Sequence, residues 1–353
     1  MGELRDRILA KYKAQNRLNA VMIEVTHRCP CSCIHCYIPD NPPPELTLEE
    51  FKILFSQLKE EGVFDLGFTG GEPFIRKDMW DILKAASKEG FFLTVLSTGL
   101  LWKKKDIARL KKVGVQAVEI SLLGGRAETH DSIMKFPGAF EHLKKTIPLL
   151  AKEGIGVVLK TTLLRENYRE LPLMEELARE LKVEYAALVN VSSRLDGDNS
   201  PRDHALGAEE LKEIPMKYIV GQESLSSCHN QAYLTCNAGK IFGSITPEGD
   251  VLPCLMFRRP VGNIRKQTLK EIWHDDPDPY LIDLREMKDE DVEECYSCSR
   301  RDFCPRCPAM VYLDTGDIKK KSPNACRMAE VISGIGESAE TAAKQDLNRS
   351  KAP

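Results

Sequence analysis

Three cysteines near the start of the chain have the type and spacing of a metal-binding loop. Cys29, Cys33 and Cys36 follow the spacing C-x3-C-x2-C, and the aromatic Tyr37 comes next. A 4Fe–4S cluster normally takes four thiolates, and a structural zinc site also takes four ligands. Three local thiolates therefore indicate an iron left open for a small molecule. The alternatives are a zinc site with a distant fourth ligand, or reducible structural thiols. Cys31 is too close to Cys33 for this spacing and is interpreted as a thiol that does not bind the cluster.

A second sequence suited to ligand binding is Gly70-Gly71-Glu72-Pro73, at the end of the second predicted strand. The glycines allow backbone and ligand to approach closely. The carboxylate can accept a hydrogen bond from an ammonium group. A polar turn after a strand often looks like this, but its place downstream of the cysteine loop favours ligand binding.

The cysteine loop and this turn together resemble the signature of the radical S-adenosylmethionine (SAM) enzymes. The resemblance implies that Cys29, Cys33 and Cys36 hold a 4Fe–4S cluster whose open iron binds SAM. It also implies reductive cleavage of SAM to a 5′-deoxyadenosyl radical that removes a hydrogen from the substrate. In such enzymes the cofactors supply the chemistry, and the protein supplies ligation, orientation and exclusion of water. The implied SAM-binding residues are Tyr37, Gly70, Gly71, Glu72, Pro73, Ser97 and Ser121.

Two of these residues lie in motifs that depart from the family pattern. Ser97-Thr98-Gly99 lacks an Asn, and Ser121-Leu122-Leu123-Gly124 lacks an Asp. The alternative for Ser121 is a strand-end serine that bonds within a turn. Lys160 and Thr161, on the fifth predicted strand, are candidates for the same cavity, and Lys160 could equally extend to solvent.

Eight further cysteines lie in the second half of the chain, which is the number that two 4Fe–4S clusters require. The spacing Cys236-x12-Gly249-x4-Cys254 resembles the SPASM extension of radical SAM enzymes. This resemblance implies two auxiliary clusters, and therefore three 4Fe–4S clusters in all. Zinc ribbons are the main alternative, because C-x2-C pairs also bind zinc. The last gap in the later cysteine run is two residues instead of the family's three. By the resemblance, Cys228, Cys236, Cys254 and Cys307 hold the first auxiliary cluster, and Cys295, Cys298, Cys304 and Cys326 hold the second.

The elements that must position these residues alternate between strand and helix. Short apolar runs predict buried parallel strands, and amphipathic stretches between them predict helices, such as one that begins with the capping box of Thr47 and Glu50. Periodicity alone allows an open doubly wound sheet or a partial barrel. The resemblance implies an α/β partial (β/α)6 TIM-like barrel followed by a small cysteine-rich α+β SPASM domain. The predicted strands are Val21–Thr26, Phe64–Gly70, Phe91–Thr98, Ala117–Leu123, Gly156–Leu163 and Glu184–Val191, and the predicted helices are Thr47–Glu61, Asp78–Gly90, Lys103–Gly114, Ala139–Gly154 and Arg169–Lys182.

The domain organisation follows from these patterns. A β-hairpin is predicted over 241–255, with its turn at Pro247-Glu248-Gly249-Asp250. The end of the chain has few large apolar residues and is predicted to be disordered. The predicted divisions are an N-terminal helical extension (1–20), the radical SAM core (21–191), a linker (192–227), the SPASM domain (228–330) and the tail (331–353).

Composition excludes several classes of function. The 353 residues carry a formal net charge of −3, which gives no bias toward nucleic acid. No run approaches the roughly 18 apolar residues of a membrane span, and the charged start is unlike a secretory signal. Twelve cysteines in a long chain of this kind are typical of cytoplasmic metal ligands.

SPASM relatives mostly act on ribosomally made peptides or proteins, so the resemblance implies a peptide maturase that forms a crosslink, an oxidation or an oxidative decarboxylation. An auxiliary cluster would accept the remaining electron or bind a substrate thiolate. The implied partners are a separate leader-peptide chaperone and an electron donor such as flavodoxin or ferredoxin. The alternatives are a porphyrin or small-molecule enzyme of the haem-pathway type, a sulfatase-maturing oxidase and a non-enzymatic electron carrier. A carrier needs neither the open three-cysteine site nor the Gly-Gly-Glu turn. No catalytic acid or base stands out, since His130-Asp131 and Tyr168 are interpreted as helix-cap or surface residues.

Overall fold

The computed structural model describes residues 2–219 and 236–334. Strands and helices alternate in the predicted order through the first two hundred residues. The strands are β1 Ala20–Thr26, β2 Asp65–Gly70, β3 Phe92–Ser97, β4 Val115–Ser121, β5 Gly156–Thr162, β6 Glu184–Leu188, β7 Phe242–Ile245, β8 Asp250–Leu252 and β9 Gly262–Asn263. The helices are α1 Gly2–Ala14, α2 Leu48–Glu60, α3 Met79–Glu89, α4 Lys104–Lys112, α5 Ala127–Met134, α6 Ala139–Lys152, α7 Leu171–Leu181, α8 Ala208–Lys212, α9 Met216–Ile219, α10 Pro279–Glu286, α11 Glu293–Tyr296, α12 Pro308–Thr315 and α13, which covers 323–334.

The strands form one sheet in the order β6-β5-β4-β3-β2-β1-β7-β8-β9. Strands β1 to β6 are parallel to their neighbours and follow one another across the sheet. This succession of parallel βα units forms an open partial barrel, which confirms the predicted fold class. It brings the carboxyl ends of β1 to β6 to the same edge.

The predicted hairpin is present and joins this sheet. β7 and β8 are antiparallel, with Ser244 opposite Leu252. β7 also pairs in parallel with β1, where Met22 lies opposite Ser244. A segment that follows the core by some fifty residues therefore becomes part of the same sheet, beside the strand that leads into the cysteine loop.

Helix α2 shows how the helices cover the sheet. The Thr47 hydroxyl and the Glu50 carboxylate form the predicted capping box at its start. Phe51 and Phe55 on its apolar face are fully buried, and the Phe55 ring meets the edge of Phe68 on β2 at 6.2 Å between centroids. Packing of this kind, repeated around the barrel, fixes the strands and the loops that leave them.

Helix α5 was not predicted from the sequence. It is eight residues long, with a polar first half, and follows β4 after a short turn. So short a helix is marginal without tertiary contacts. Buried Ile133 and Met134 supply those contacts, because they pack in an apolar cluster with Leu123 and Leu164.

The chain divides into two compact units. Among the described residues, 2–205 and 237–285 form the first unit, and 206–219, 236 and 286–334 form the second. The segment predicted as a linker contains α8, α9 and a short 3-10 helix, Ser200–His204. Residues 331–334, at the start of the predicted tail, are helical, and the rest of that tail lies outside the described residues. Among the helices described, none is long and apolar enough to cross a membrane.

Candidate functional site

The cysteine loop leaves β1 at the carboxyl edge of the parallel strands. Cys29, Cys31, Cys33 and Cys36 line one cavity of about 470 Å³. Parallel α/β folds place their ligand sites at this edge, where loops from neighbouring strands converge. The three cysteines of the predicted motif and the additional Cys31 therefore all face the same space.

The last turn of α5 holds the middle of this loop. The Ser32 N–H donates to the Met134 carbonyl oxygen at 3.3 Å, and the Ile34 N–H donates to the Ile133 carbonyl oxygen at 3.1 Å. The Cys33 sulfur lies 3.9 Å from the Met134 carbonyl oxygen. The final carbonyls of a helix have no acceptor role inside it. The unpredicted helix thus fixes the loop by hydrogen bonds to its free carbonyl end.

Hydrogen bonding and burial act on the thiols of the loop. A hydrogen bond with Cys31 is the largest cause that raises the pKa of Cys29, and burial is the next. For Cys31, the hydrogen bond with Cys29 lowers the pKa, but a hydrogen bond with Cys33 and burial outweigh it and raise the value to about 12. Burial raises the pKa of Cys36. Since the thiolate is the metal ligand, metal binding here must release protons.

The Gly-Gly-Glu turn packs directly against the start of the cysteine loop. The Gly71 N–H donates to the Thr26 carbonyl oxygen at 2.8 Å, and the Glu72 N–H donates to the Arg28 carbonyl oxygen at 2.9 Å. A side chain at Gly71 would collide with the Arg28 carbonyl, and Gly70 has a φ of +130°. The glycines are therefore required for the approach of the two loops to each other. Their predicted contact with SAM stays a prediction.

The Glu72 carboxylate is fully buried and accepts hydrogen bonds from three residues. The Thr98 N–H donates at 2.8 Å and its hydroxyl at 2.6 Å, the Ser97 hydroxyl donates at 2.9 Å, and the Phe74 N–H donates at 3.1 Å. Burial raises the pKa of Glu72, and these donors oppose the rise. They fill the roughly four acceptor sites of a carboxylate. A ligand ammonium would have to replace a hydroxyl donor, and the hydroxyls of Ser97 and Thr98 can rotate away.

Tyr37 was predicted to contact SAM, and its hydroxyl has a protein partner. It donates to Glu24 Oε1 on β1 at 2.7 Å. Pro73 is buried and begins the short 3-10 helix Pro73–Ile75. The contacts of Tyr37 and Pro73 with SAM remain predictions.

The remaining candidates for the SAM cavity lie at the end of β4 and on β5, and they do not all face the same side of the sheet. Ser121 lies opposite Lys160 in the sheet. The Lys160 ammonium lies 2.6 Å from Glu119 Oε2 and is half exposed. Thr161 is buried on the other face of β5, where its hydroxyl donates to the Leu122 carbonyl oxygen at 2.6 Å. Because successive strand residues point to opposite faces, Lys160 and Thr161 cannot both face the barrel interior.

In the second unit, four cysteines line a cavity of about 110 Å³, together with several cations. Its walls include Arg300, Arg301, Arg306 and Lys321. Positive charge beside thiolates stabilises the anionic ligand set of a metal cluster. The four cysteines are Cys295, Cys298, Cys304 and Cys326, the set that the resemblance implies for the second auxiliary cluster.

The other implied auxiliary ligands are distributed along the chain. Cys254 belongs to the first unit, whereas Cys236 and Cys307 belong to the second. Cys228 lies outside the described residues. Within residues 2–219 and 236–334, no three His, Cys, Asp or Glu side chains converge on a single ion. A 4Fe–4S cluster differs from a single ion, because each cysteine binds a different iron and the ligands lie around a cavity. The cysteines of both cavities described above are arranged in this way.

Sequence reasoning missed or misplaced three polar residues. His130 was interpreted as a cap or surface residue, but it is fully buried, and its Nδ1 accepts a hydrogen bond from the Leu123 N–H at 3.0 Å. Its neighbour Asp131 does cap α6, through the N–H of Phe140.

The Nδ1 of His35, inside the cysteine loop, is buried and has no hydrogen-bond partner in the part of the chain described. Burial lowers the pKa of both histidines to about 4. Glu24 gave no signal beyond being a charged residue within an apolar strand.

Comparison with known proteins decides the family. The radical SAM superfamily matches residues 23–178, and the iron–sulfur cluster-binding SPASM domain matches residues 236–299. The chain therefore contains a radical SAM domain followed by a SPASM domain. Its radical SAM domain binds SAM and a 4Fe–4S cluster, and its SPASM domain binds auxiliary iron–sulfur clusters.

Two curated relatives and one solved structure resemble this radical SAM protein along most of its length. The AdoMet-dependent heme synthase of Methanosarcina barkeri is 28% identical over 331 residues, which is 85% of this chain and 94% of the relative. The PqqA peptide cyclase of Granulibacter bethesdensis is 27% identical over 330 residues, which is 88% of this chain and 87% of the relative. The crystal structure of Streptococcus suis SuiB bound to precursor peptide SuiA has a TM-score of 0.65 at 17% identity, covering 92% of this chain and 80% of SuiB.

Proposed function

We propose that this radical SAM protein is a peptide maturase, which abstracts hydrogen from a ribosomally made peptide or protein to form a crosslink, an oxidation or an oxidative decarboxylation. The observation that carries the proposal is the joining of the three-cysteine loop to the Gly-Gly-Glu turn at one barrel edge. The likeness to PqqA peptide cyclase over 88% of the chain supports a peptide as the substrate. The fold shared with SuiB, whose structure holds a precursor peptide, is consistent with it.

Different residues of the first unit are assigned to the iron–sulfur cluster and to SAM. We assign the SAM-binding cluster to Cys29, Cys33 and Cys36, since these thiols line one cavity and thiolates are the usual ligands of iron–sulfur clusters. When bound, the cluster, SAM and one electron supply methionine and a 5′-deoxyadenosyl radical, which abstracts hydrogen. Glu72 and Ser97 are assigned to the amino group of SAM, because Glu72 lies on the turn that packs on the cysteine loop and Ser97, at the end of β3, donates to its carboxylate.

The cysteines of the second half are assigned to two auxiliary clusters, which makes three clusters in all. The shared cavity supports one set, and the second set completes the eight thiolates required. Oxidation of a peptide removes one further electron after hydrogen abstraction, and an auxiliary cluster is suited to accept it. The proposed sets are Cys295, Cys298, Cys304 and Cys326 for one cluster, and Cys228, Cys236, Cys254 and Cys307 for the other.

The proposed reaction requires partners. Cleavage of SAM consumes an electron, so we assign a flavodoxin or ferredoxin as the donor. A separate chaperone is proposed to present the leader peptide, and a reducing cytoplasm, where thiols are kept from forming disulfides, is the proposed compartment.

A haem-pathway activity is the second candidate, because the AdoMet-dependent heme synthase matches 85% of this chain. The two candidates share the radical-generating site and differ in substrate. Incubation of the reconstituted enzyme with SAM and a strong reductant should change the mass of a peptide encoded beside its gene. Loss of carbon dioxide from a porphyrin, with no change in any peptide, would favour the haem-pathway candidate.

The cofactor assignment is tested independently of the substrate. Anaerobic reconstitution should give about twelve irons per chain, from three clusters of four. Replacement of Cys29, Cys33 and Cys36 by Ala should leave about eight and abolish release of 5′-deoxyadenosine. Zinc in place of iron after anaerobic purification would contradict the assignment.

A further inference from the structure

One buried carboxylate contacts both ends of the cysteine loop. Glu24, on β1, has a fully buried side chain. On one side, His27 Nε2, two residues before Cys29, lies 3.4 Å from Glu24 Oε2. On the other side, the hydroxyl of Tyr37, the residue after Cys36, donates to Glu24 Oε1 at 2.7 Å. The residues that enter and leave the loop therefore meet at a single side chain.

The same carboxylate is bound by an arginine from the segment after Cys254. Arg258 donates from Nη1 to Glu24 Oε2 at 2.8 Å and from Nη2 to Oε1 at 2.9 Å. Its guanidinium carbon lies 5.0 Å from the centre of the Tyr37 ring. The Arg258 side chain is only 17% exposed. The guanidinium thus makes a bidentate ion pair and a cation–π contact at one place.

The chemistry of this pair suits a rigid connection. A planar guanidinium matches a carboxylate in a fixed orientation, which the ammonium of a lysine cannot do. Because the pair is buried, removal of one partner leaves the other charge uncompensated. The charges of Glu24 and Arg258 cancel, so the pair adds no net charge beside the cysteine loop.

We propose that Glu24 and Arg258 form a strut that holds both ends of the cysteine loop against the segment following Cys254. The pair acts as positioning residues: it sets the geometry in which the loop presents its thiols, and its neutrality keeps a local charge from altering the cluster's potential. This inference rests on the proposed function only in assigning the SAM-binding cluster to this loop.

The test compares three variants of the full-length, anaerobically reconstituted protein. Glu24→Gln removes the negative charge, Arg258→Lys keeps the positive charge but loses the planar bidentate contact, and Glu24→Gln with Arg258→Met removes both charges. Glu61→Gln is the matched control, because Glu61 is also buried and pairs with His274, at 2.8 Å, away from the cysteines. The readouts are iron content, the EPR spectrum of the reduced cluster with and without SAM, its midpoint potential, and the rate of 5′-deoxyadenosine release without substrate.

The expected pattern separates geometry from charge. The release rate should fall by about tenfold or more in all three variants, because each loses charge-assisted hydrogen bonds that hold the loop. The midpoint potential should rise only in Glu24→Gln, since an uncompensated cation favours the reduced, more negative cluster. It should stay near the wild-type value in Arg258→Lys and return toward it in the double variant. The SAM-induced change in the EPR spectrum should be altered in all three.

Rates, potentials and spectra in Glu24→Gln and Arg258→Lys that equal those of Glu61→Gln would overturn the strut. If Glu24→Gln does not fold, Arg258→Lys, which keeps the charge, carries the same test. Failure of the wild-type protein to bind iron or release 5′-deoxyadenosine would instead refute the assigned SAM site. Failure to modify any peptide, with the variant pattern intact, would leave the strut standing and refute only the peptide substrate.

Discussion

Replacement of Glu72 by Gln tests whether the Gly-Gly-Glu turn binds SAM or only supports the fold. The carboxylate accepts from two backbone N–H groups, those of Phe74 and Thr98, one on each oxygen. A glutamine amide has one oxygen, so in either orientation one of these N–H groups faces an NH₂ group. The hydroxyls of Ser97 and Thr98 can rotate to compensate, but a backbone N–H cannot.

The structure sets the size of the expected effects. A buried donor left without an acceptor costs about 1–3 kcal/mol. Relief from burying a charge offsets part of this cost, because burial raises the pKa of Glu72. The loss of unfolding free energy should therefore lie at the lower end of that range. The loss in the free energy of SAM binding should be larger than this loss of unfolding free energy. The affinity should fall roughly 10- to 100-fold, because a charge-assisted hydrogen bond contributes on the order of 1.5–3 kcal/mol.

The assay measures SAM binding by equilibrium dialysis, together with iron content and thermal unfolding. Iron content should be unchanged, since Glu72 is assigned no role as a ligand. Glu61→Gln is the matched control, because Glu61 is also a buried carboxylate and pairs with His274, away from the turn and the cysteine loop. Unchanged SAM affinity in Glu72→Gln would refute the reasoning. So would an equal loss of affinity in Glu61→Gln, which would show that the effect is not specific to the Gly-Gly-Glu turn.

Three further outcomes are expected. Cys31→Ala should retain the SAM-binding cluster and 5′-deoxyadenosine release, whereas Cys33→Ala should lose both; loss of iron by the Cys31 variant would show that the ligand assignment is wrong. Burial raises the pKa of Glu24, but Arg258 and the other partners outweigh it and lower the pKa to about 2. The ionised carboxylate therefore contributes on the order of 3 kcal/mol to the free energy of unfolding. This contribution is complete above the pKa of Glu24 in the unfolded chain, about 4.5, and is lost as the pH falls from there toward 2. Glu24→Gln should flatten this acid limb in unfolding experiments, and an unchanged limb would contradict the lowered pKa. Replacement of Cys295 and Cys298 by Ala should abolish the peptide product, measured by mass spectrometry, while SAM cleavage, measured by chromatography, continues. Continued product formation would show that the second auxiliary cluster has only a structural role.

The order and type of the core elements could be predicted from local sequence. Strands such as Val21–Thr26 are short, apolar and rich in β-branched residues, and helices such as α2 carry capping residues and an apolar face. Both signals are local, so the predicted boundaries differ from the observed ones by only a few residues. Helix α5 escaped prediction because its eight residues lack such a signal, and it depends on packing against Leu123 and Leu164.

The candidate site shows the same division. Spacing alone singled out Cys29, Cys33 and Cys36, because three cysteines on one short loop have a local signature. The four cysteines that line the cavity of the second unit include Cys326, nineteen residues beyond Cys307 in the chain. Their grouping was implied only by resemblance, since long-range proximity has no signature in local spacing.

By itself, the sequence determined the residue types for the chemistry: thiolates at cluster spacing, two glycines before a carboxylate, and strands that end where these residues begin. The tertiary structure decided which of them meet. It placed Glu72 among the donors of Ser97 and Thr98, and it paired β7 with β1 in the sheet. It also brought Arg258 to Glu24 across 234 residues of chain. The physical reason is that a buried charge is tolerated only where the fold supplies its partner, and that partner is chosen by packing rather than by sequence distance.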